Sequence, residues 1–181
     1  YSLTPFVPSV TLQRSDADIV TYLDADSEFL SSPVEFVEGL ANASIAITPH
    51  RWTVPERSAK FGRFNNGWMS FRRVPEATHC LESYRSDCIQ RCANEVGGEG
   101  TYADQGYLDK WPSLFEGVRV IEDAGINTAN WNADNYEFTY VDGQVLVDGL
   151  RIVFFHCHGI KRRPDGVLAY KLPDGHRDPN S

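Results

Sequence analysis

The sequence predicts an α/β fold in which a mixed sheet is flanked by helices. Short β-branched runs recur at residues 19–23, 44–48, 118–121 and 150–158, the composition of strands. Between them lie stretches with apolar residues at helical spacing, at 34–40 and 76–96. A third signal is Asp142-Gly143 between two alternating runs, which marks a tight hairpin.

In chain order, residues 1–18 carry Pro5 and Pro8 and read as a short helix or a lead-in loop. The run from Ile19 is predicted as a buried strand that stops at Asp24 and Asp26. Ser31-Ser-Pro33 has the chemistry of a helix start, with Val34, Phe36, Val37 and Leu40 as its apolar face. Residues 44–48 form a strand stopped by Pro49, and a loop from His50 through Pro55 leaves its end. That is where open α/β sheets bind ligands. Asn65-Asn66-Gly67 reads as a turn entering a strand at Trp68, in which Asn65 and Asn66 either cap the turn or project their amides toward a polyhydroxyl ligand. The longest helix is expected from Glu76 to about Val96, with Cys80, Leu81, Tyr84, Cys88, Ile89 and Cys92 recurring at helical spacing and its cysteines in the core, broken by Gly97-Gly-Glu-Gly100. A shorter helix over 102–111 should be closed by Pro112, with Asp104 either capping it or free for chemistry. Residues 125–135 read as a polar loop, too rich in amides to be core. The hairpin at 136–147 should append to the main sheet, and 150–158 should be one last strand.

With 181 residues, one domain spanning 1–181 is expected. No apolar run is long enough to cross a membrane. Lys plus Arg is 17 against 25 for Asp plus Glu, a formal charge of −8, which argues against a broad nucleic-acid surface. Cys80, Cys88, Cys92 and Cys157 lack Cys-x-x-Cys spacing. They read as reduced thiols of a cytoplasmic protein, with zinc on Cys88, Cys92, His156 and His158 the alternative. No signal peptide is visible, although the chain starts at Tyr1. The sequon Asn42-Ala-Ser44 would matter only after secretion.

The chemistry concentrates at two strand ends. Asp24 and Asp26 would share one face in extended geometry, and two carboxylates that close repel unless a proton or cation intervenes. A hard divalent ion, Mg²⁺ or Mn²⁺, resolves the conflict. The other reading is a solvated turn in which one of the two acids caps the helix near Pro33. At the far end of the chain, alternation places Ile152, Phe154, His156 and His158 on one side. A strand-end histidine followed by Gly159 and Lys161-Arg-Arg163 is a candidate for a metal–diphosphate site, with Lys161 as a point charge for phosphate. Trp52, Trp68 and Trp131 either line a groove or fill the core.

Taken together, Tyr22-Leu-Asp-Ala-Asp26, Phe64-Asn-Asn-Gly-Trp-Met69, Asp104-Gln105 and His156-Cys-His-Gly159 with Lys161 resemble the GT-A glycosyltransferases. The order is most similar to the retaining galactosyltransferase and glycogenin-like group. The resemblance implies a GT-A fold and transfer of a sugar from a UDP- or GDP-sugar donor to a glycan or other hydroxyl acceptor. It also implies that Asp24, Asp26 and His156, with His158 as second candidate, hold Mn²⁺ or Mg²⁺. Asn65, Asn66, Gly67, Gly159 and Lys161 would bind substrate, and Asp104 and Gln105 would lie at the reacting carbon. Only 23 residues precede the Asp-x-Asp. The expectation is therefore the C-terminal part of such a catalytic domain, lacking most of the N-terminal nucleotide-binding βα units. The competing readings are a metal-dependent phosphoesterase on the same acids and histidines, and a non-catalytic carbohydrate-binding or scaffold module.

Overall fold

A computed structural model describes residues 3–40, 42–93 and 102–166 and the backbone of 168–170. In chain order the elements are α1 (Phe6–Arg14), β1 (Ile19–Leu23), β2 (Ser27–Phe29), α2 (Val34–Gly39), β3 (Ile45–Pro49), α3 (Glu56–Phe61), β4 (Phe64–Arg72) and α4 (Pro75–Gln90). A 3₁₀ segment, Gln105–Lys110, runs into α5 (Trp111–Leu114). Then come β5 (Val118–Val120), β6 (Ile126–Ala129), β7 (Phe138–Val141), β8 (Gln144–Val147), β9 (Leu150–Arg151), β10 (Phe154–His156), β11 (Ile160–Arg162) and β12 (Leu168–Tyr170).

The predicted mixed α/β architecture is present, divided among several sheets. The main sheet has the order β1-β4-β3-β5, with β4 antiparallel to both neighbours and β5 parallel to β3. A second sheet, β2-β10-β6, pairs β10 antiparallel to β2 and parallel to β6. The central strand β3 is buried along its whole length, so its run is apolar on both faces. Ile45 and Ile47 join Met69 and Phe71 of β4 against α4, Leu12 of α1, Leu108 and Trp111. Ala46 and Trp68 face the other way, toward Leu40 at the end of α2, Ile126 and Phe154. The two sides follow from the two-residue period of a strand. Trp68 is core rather than groove: Phe29, Phe36 and Phe154 meet its ring edge-to-face, and its Nε1 donates to Ser70 Oγ at 3.0 Å.

Several boundaries differ from the sequence expectation, each for a physical reason. β1 is half-buried, not buried, because among the described residues it is an edge strand with β4 as its one partner. Asn65 and Asn66 lie inside β4, where the partner register jumps from Ile47↔Met69 to Thr48↔Asn65. This is a bulge that re-aims side chains instead of a turn. The long helix ends at Gln90, with the Tyr107 hydroxyl 2.6 Å from the carbonyl of Arg91 just past its end; Ile89 on its last turn is exposed and Cys92 beyond it only partly buried, so neither joins the core. Residues 94–101, including the glycine run, lie outside the described residues. Pro112 opens α5 rather than closing the preceding segment, since a first-turn position has no amide bond to lose. Residues 150–158 are not one strand. Leu150–Arg151 pairs with β8 and Phe154–His156 with β2 and β6, so the chain changes sheets at Ile152-Val153. The Asp142-Gly143 hairpin is present, both residues at positive φ (49° and 80°), but it belongs to its own sheet, β7-β8-β9. Among the described residues no helix is long and apolar enough to cross a membrane.

Candidate functional site

The main sheet and the second sheet end together on one cleft of about 560 Å³. β1 delivers Asp24, whose backbone amide donates to the carbonyl of Gly67 at 3.2 Å and so extends the β1–β4 ladder by one step. Asp26 follows, its carbonyl held by the amide of Cys157 at 2.7 Å. That bond ties the acidic turn to the end of β10, where His156 sits 3 % exposed. The His156 Nε2 lies 3.1 Å from Asp26 Oδ1 and 3.7 Å from Asp24 Oδ2. His158, in the turn beyond β10, brings its Nδ1 to 3.6 Å from Asp26 Oδ2. Ligand atoms of Asp26, His156 and His158 all lie within 4.8 Å of one another.

A buried amide network sets the proton of His156. Thr48 donates its hydroxyl to the Asn65 carbonyl at 3.4 Å and accepts from Asn127 Nδ2 at 3.3 Å. The Asn127 Oδ1 therefore faces His156, and the imidazole Nδ1–H donates to it at 3.3 Å. A neutral ring with its proton on Nδ1 presents a lone pair from Nε2, aimed at two carboxylates. The His156 lone pair then faces Asp26 at 3.1 Å and Asp24 at 3.7 Å, a crowding of electron-rich groups that a cation relieves. An oxygen-plus-imidazole donor set suits Mn²⁺, and separations of 3.1–3.7 Å match the roughly 3 Å edges of a six-coordinate shell with bonds of about 2.1 Å. The residues present thus fit a hard divalent ion. The Cys–His zinc alternative is not assembled: among the described residues the donor atoms gathered within 4.8 Å are those of Asp26, His156 and His158, and Cys88 packs in the α4 core.

Protonation follows the same packing. Burial pushes the Asp24 carboxyl above its ordinary range, against the pull of His156. Burial pulls His156 below 6.5, against Asp26 and Asp24. Tyr22 is pushed up to about 12 by burial and by Asp24, to whose Oδ1 its hydroxyl donates at 3.1 Å.

Gly67 lies directly against this group. A β-carbon there would meet Asn65 Oδ1 at 2.5 Å and His156 Nδ1 at 2.6 Å, so only glycine lets the imidazole lie against β4. Asn65 has its amide engaged at both ends: Oδ1 accepts from the Gly67 amide at 2.9 Å and Nδ2 donates to His50 Nε2 at 3.2 Å. The Asn66 Nδ2 donates to Asp104 Oδ2 at 3.0 Å. Asp104 is 1 % exposed and makes no side-chain cap bond, so the capping reading fails. Gln105 reaches across to the Phe61 carbonyl at 2.9 Å. Asp24, Asp26, Asn65, Asn66, Asp104, Gln105, His156 and His158 all line the cleft. Gly159 and Lys161 do not; Gly159 turns the chain at φ +74° and Lys161 stands exposed on β11.

No family model matches the chain. It is similar to two curated proteins of Bacillus subtilis (strain 168), both named as uncharacterized. YfnD is 36 % identical over 163 residues, covering 88 % of this chain and 52 % of that protein. YfnF is 32 % identical over 165 residues, covering 86 % and 54 %. The chain spans about half the length of the curated relatives it matches. Among solved structures it is similar to the galactosyltransferase LgtC in complex with donor and acceptor sugar analogs, with a TM-score of 0.45 and 17 % identity over 83 % of this chain and 58 % of that one.

Sequence reasoning missed the floor of the site. The stretch 125–135, expected as a solvated loop, contains β6, and Asn127 and Asn132 are fully buried. Asn132 accepts from the Ala129 amide at 2.9 Å and donates to the carbonyls of His50 and Asn127 at 2.9 and 3.0 Å. An amide is cheap to bury when its bonds are made. Asn127 sits at φ +64°, a conformation Asn tolerates better than most side chains. His50, one residue past β3, was also missed. It stacks on Trp52 with ring centres 4.2 Å apart, and burial lowers its pKa to about 3. Its position at a strand end next to an aromatic was the available signal.

Proposed function

We propose that this protein acts in glycosyl transfer, moving a sugar from a nucleoside-diphosphate sugar to a hydroxyl acceptor with the aid of a divalent cation. Donor atoms of Asp26, His156 and His158 lie within 4.8 Å of one another, and Asp24 Oδ2 lies 3.7 Å from His156 Nε2, which supports this reading for Asp24, Asp26 and His156. Those three residues would hold Mn²⁺ or Mg²⁺, with His158 as a fourth ligand. The cation, when bound, supplies positive charge against the diphosphate as its bond to the sugar breaks. Asn127 keeps the His156 lone pair available. Tyr22 stays protonated and holds Asp24 in place through its hydroxyl. Asp104 and Gln105 flank the reacting carbon in this reading: Asp104 is aligned by Asn66, and Gln105 is fastened to Phe61. Asn65 and Gly67 act as positioning residues, since their polar groups are spent on His50 and on each other. Gly159 aims the β11 strand, from which Lys161 extends to a phosphate beyond the cleft rim.

The test is thermal unfolding of the protein with Mn²⁺ and UDP. At about one hundred times the dissociation constant, binding adds roughly 2.7 kcal/mol, a melting shift of about 5–10 °C for a chain of this size. Asp26→Asn should remove the shift. A folded protein that shows none would overturn the proposal. Turnover of a generic phosphodiester without sugar transfer would move the site to phosphoesterase chemistry instead.

A further inference from the structure

The hairpin sheet β7-β8-β9 has an exposed edge without the usual protection. Among the described residues β7 has β8 as its one partner, so its outer side is open. All of β7 is exposed, with Phe138 at 41 % and Tyr140 at 74 %. Natural sheet edges are blunted by charges, prolines or extreme shortness. β5 and β2, edge strands of the main and second sheets, are short and carry Arg119 and Glu28. Phe138-Thr-Tyr-Val141 holds neither a charge nor a proline. The turn decides which backbone groups point outward. Asp142 and Gly143 are both at positive φ, and Val141 lies opposite Gln144, a two-residue hairpin in which the pair flanking the turn is hydrogen-bonded. Alternation along the ladder then turns the amides and carbonyls of Val141 and Thr139 toward β8, and those of Tyr140 and Phe138 away from it.

We propose that this edge is a self-association surface, its occupant the β7 strand of a second copy of the chain, antiparallel about a two-fold axis at Thr139. In that register Phe138 of each copy lies opposite Tyr140 of the other, and each such pair exchanges both of its outward main-chain hydrogen bonds. One face of the joint then carries two aromatic cross-strand pairs and the other sets Thr139 against Thr139, both favourable pairings. Charge agrees: Glu137 falls opposite Val141, and Asp142 opposite Tyr136. A slip of one residue would set Glu137 against Asp142 and aim outward groups at inward ones. The joined sheet ends on β9 at both sides, which is two residues long and carries Arg151, the blunted kind of edge. Area sets the strength. Phe138, Tyr140 and the strand backbone bury roughly 300–400 Å² per copy, well under the ~800 Å² per partner of a tight complex. The dimer is therefore weak, with a dissociation constant of about 10–100 µM. None of these residues lines the cleft, so the surface does not depend on its chemistry.

The experiment is sedimentation velocity on the full 181-residue protein, from about 1 to about 300 µM to bracket that constant. The average mass should climb from monomer toward dimer across the range. Tyr140→Lys puts a charge on the edge and should weaken association at least about tenfold, whereas Tyr140→Phe should hold it within about twofold. Circular dichroism verifies that both variants are folded. Register is read independently by cross-linking. Thr139→Cys lies on the two-fold axis, where facing Cα atoms of a non-hydrogen-bonded pair are about 4.5 Å apart, within disulfide range. Mild oxidation should give a reducible dimer well above the wild-type background for Thr139→Cys. Val141→Cys, which faces Glu137 of the second copy, should stay at background. A monomer at every concentration, a dimer indifferent to Tyr140→Lys, or equal cross-linking of the two cysteine variants overturns the inference.

Discussion

The two ends of the cleft are held by different means. At the acid–imidazole end, Asp24, Asp26 and His156 sit at or next to strand termini, and a buried chain of Asn65, Thr48 and Asn127 fixes the ring of His156 from beneath. At the aromatic end, Trp52, Phe61 and Tyr102 sit on a loop, a six-residue helix and the lead-in to a 3₁₀ segment. Their rings are half-exposed and joined mostly by contact instead of directional bonds. Hydrogen-bonded burial gives one geometry with little tolerance. Aromatic facets on short elements give area with tolerance, which suits ligands that differ in detail. The acid–imidazole end is therefore the more rigidly specified of the two.

The largest expected effect comes from disturbing the exacting end at its closest approach. Gly67→Ala places a methyl within 2.6 Å of His156 Nδ1. Neither that ring nor Asn65 can yield without breaking its own bond, so a loss of about 2–3 kcal/mol is expected, with loss of Mn²⁺ binding. Gly143→Ala is the control, since a β-carbon there meets nothing within 4 Å. It should cost only the positive-φ penalty of about 1 kcal/mol, by urea denaturation, and leave Mn²⁺ affinity intact. Equal effects of the two would erase the distinction between the regions.

A smaller effect is expected one shell out. Asn127→Ala removes the acceptor for the His156 Nδ1–H, and such outer partners of metal-bound histidines are worth roughly 10–100-fold in affinity. Mn²⁺ titration should show a loss of that size; an unchanged Mn²⁺ affinity would mean that Asn127 does not set the His156 ring.

The smallest effect links the two ends through His50, which bonds Asn65 on one side and stacks on Trp52 on the other. Its pKa is lowered to about 3 in the folded protein, whereas the unfolded chain takes up the proton near 6.5. Between those values the unfolded state binds more protons, so stability falls as pH drops below about 6.5, by up to about 1.4 kcal/mol per pH unit. Asp24 has the opposite sign. Its folded pKa is raised, so its contribution is present at pH below about 3.9 and is lost as pH rises through the folded value. Urea denaturation at neutral pH and at about pH 5 isolates the His50 slope, which His50→Gln should flatten. An unchanged slope in that variant would assign the pH dependence to His156, whose pKa is lowered in the same direction.

Much of this was legible along the chain, and the part that was not has a common cause. Local period and composition determined the strand that ends at Asp24, the helix that buries Cys80 and Cys88, the Asp142-Gly143 hairpin, and the side of the last strand on which His156 lies. Each depends on neighbours within a few residues, which backbone geometry couples directly. Tertiary structure alone decided that Asp26, just past β1, meets His156 at the end of β10, 130 residues further along the chain. It also decided that Asn127 and Asn132 are core, and that Gly67 is a contact instead of a turn. A polar side chain looks solvated in sequence because its bonding partners lie far along the chain; only folding supplies them, and with them the free energy that lets an amide be buried.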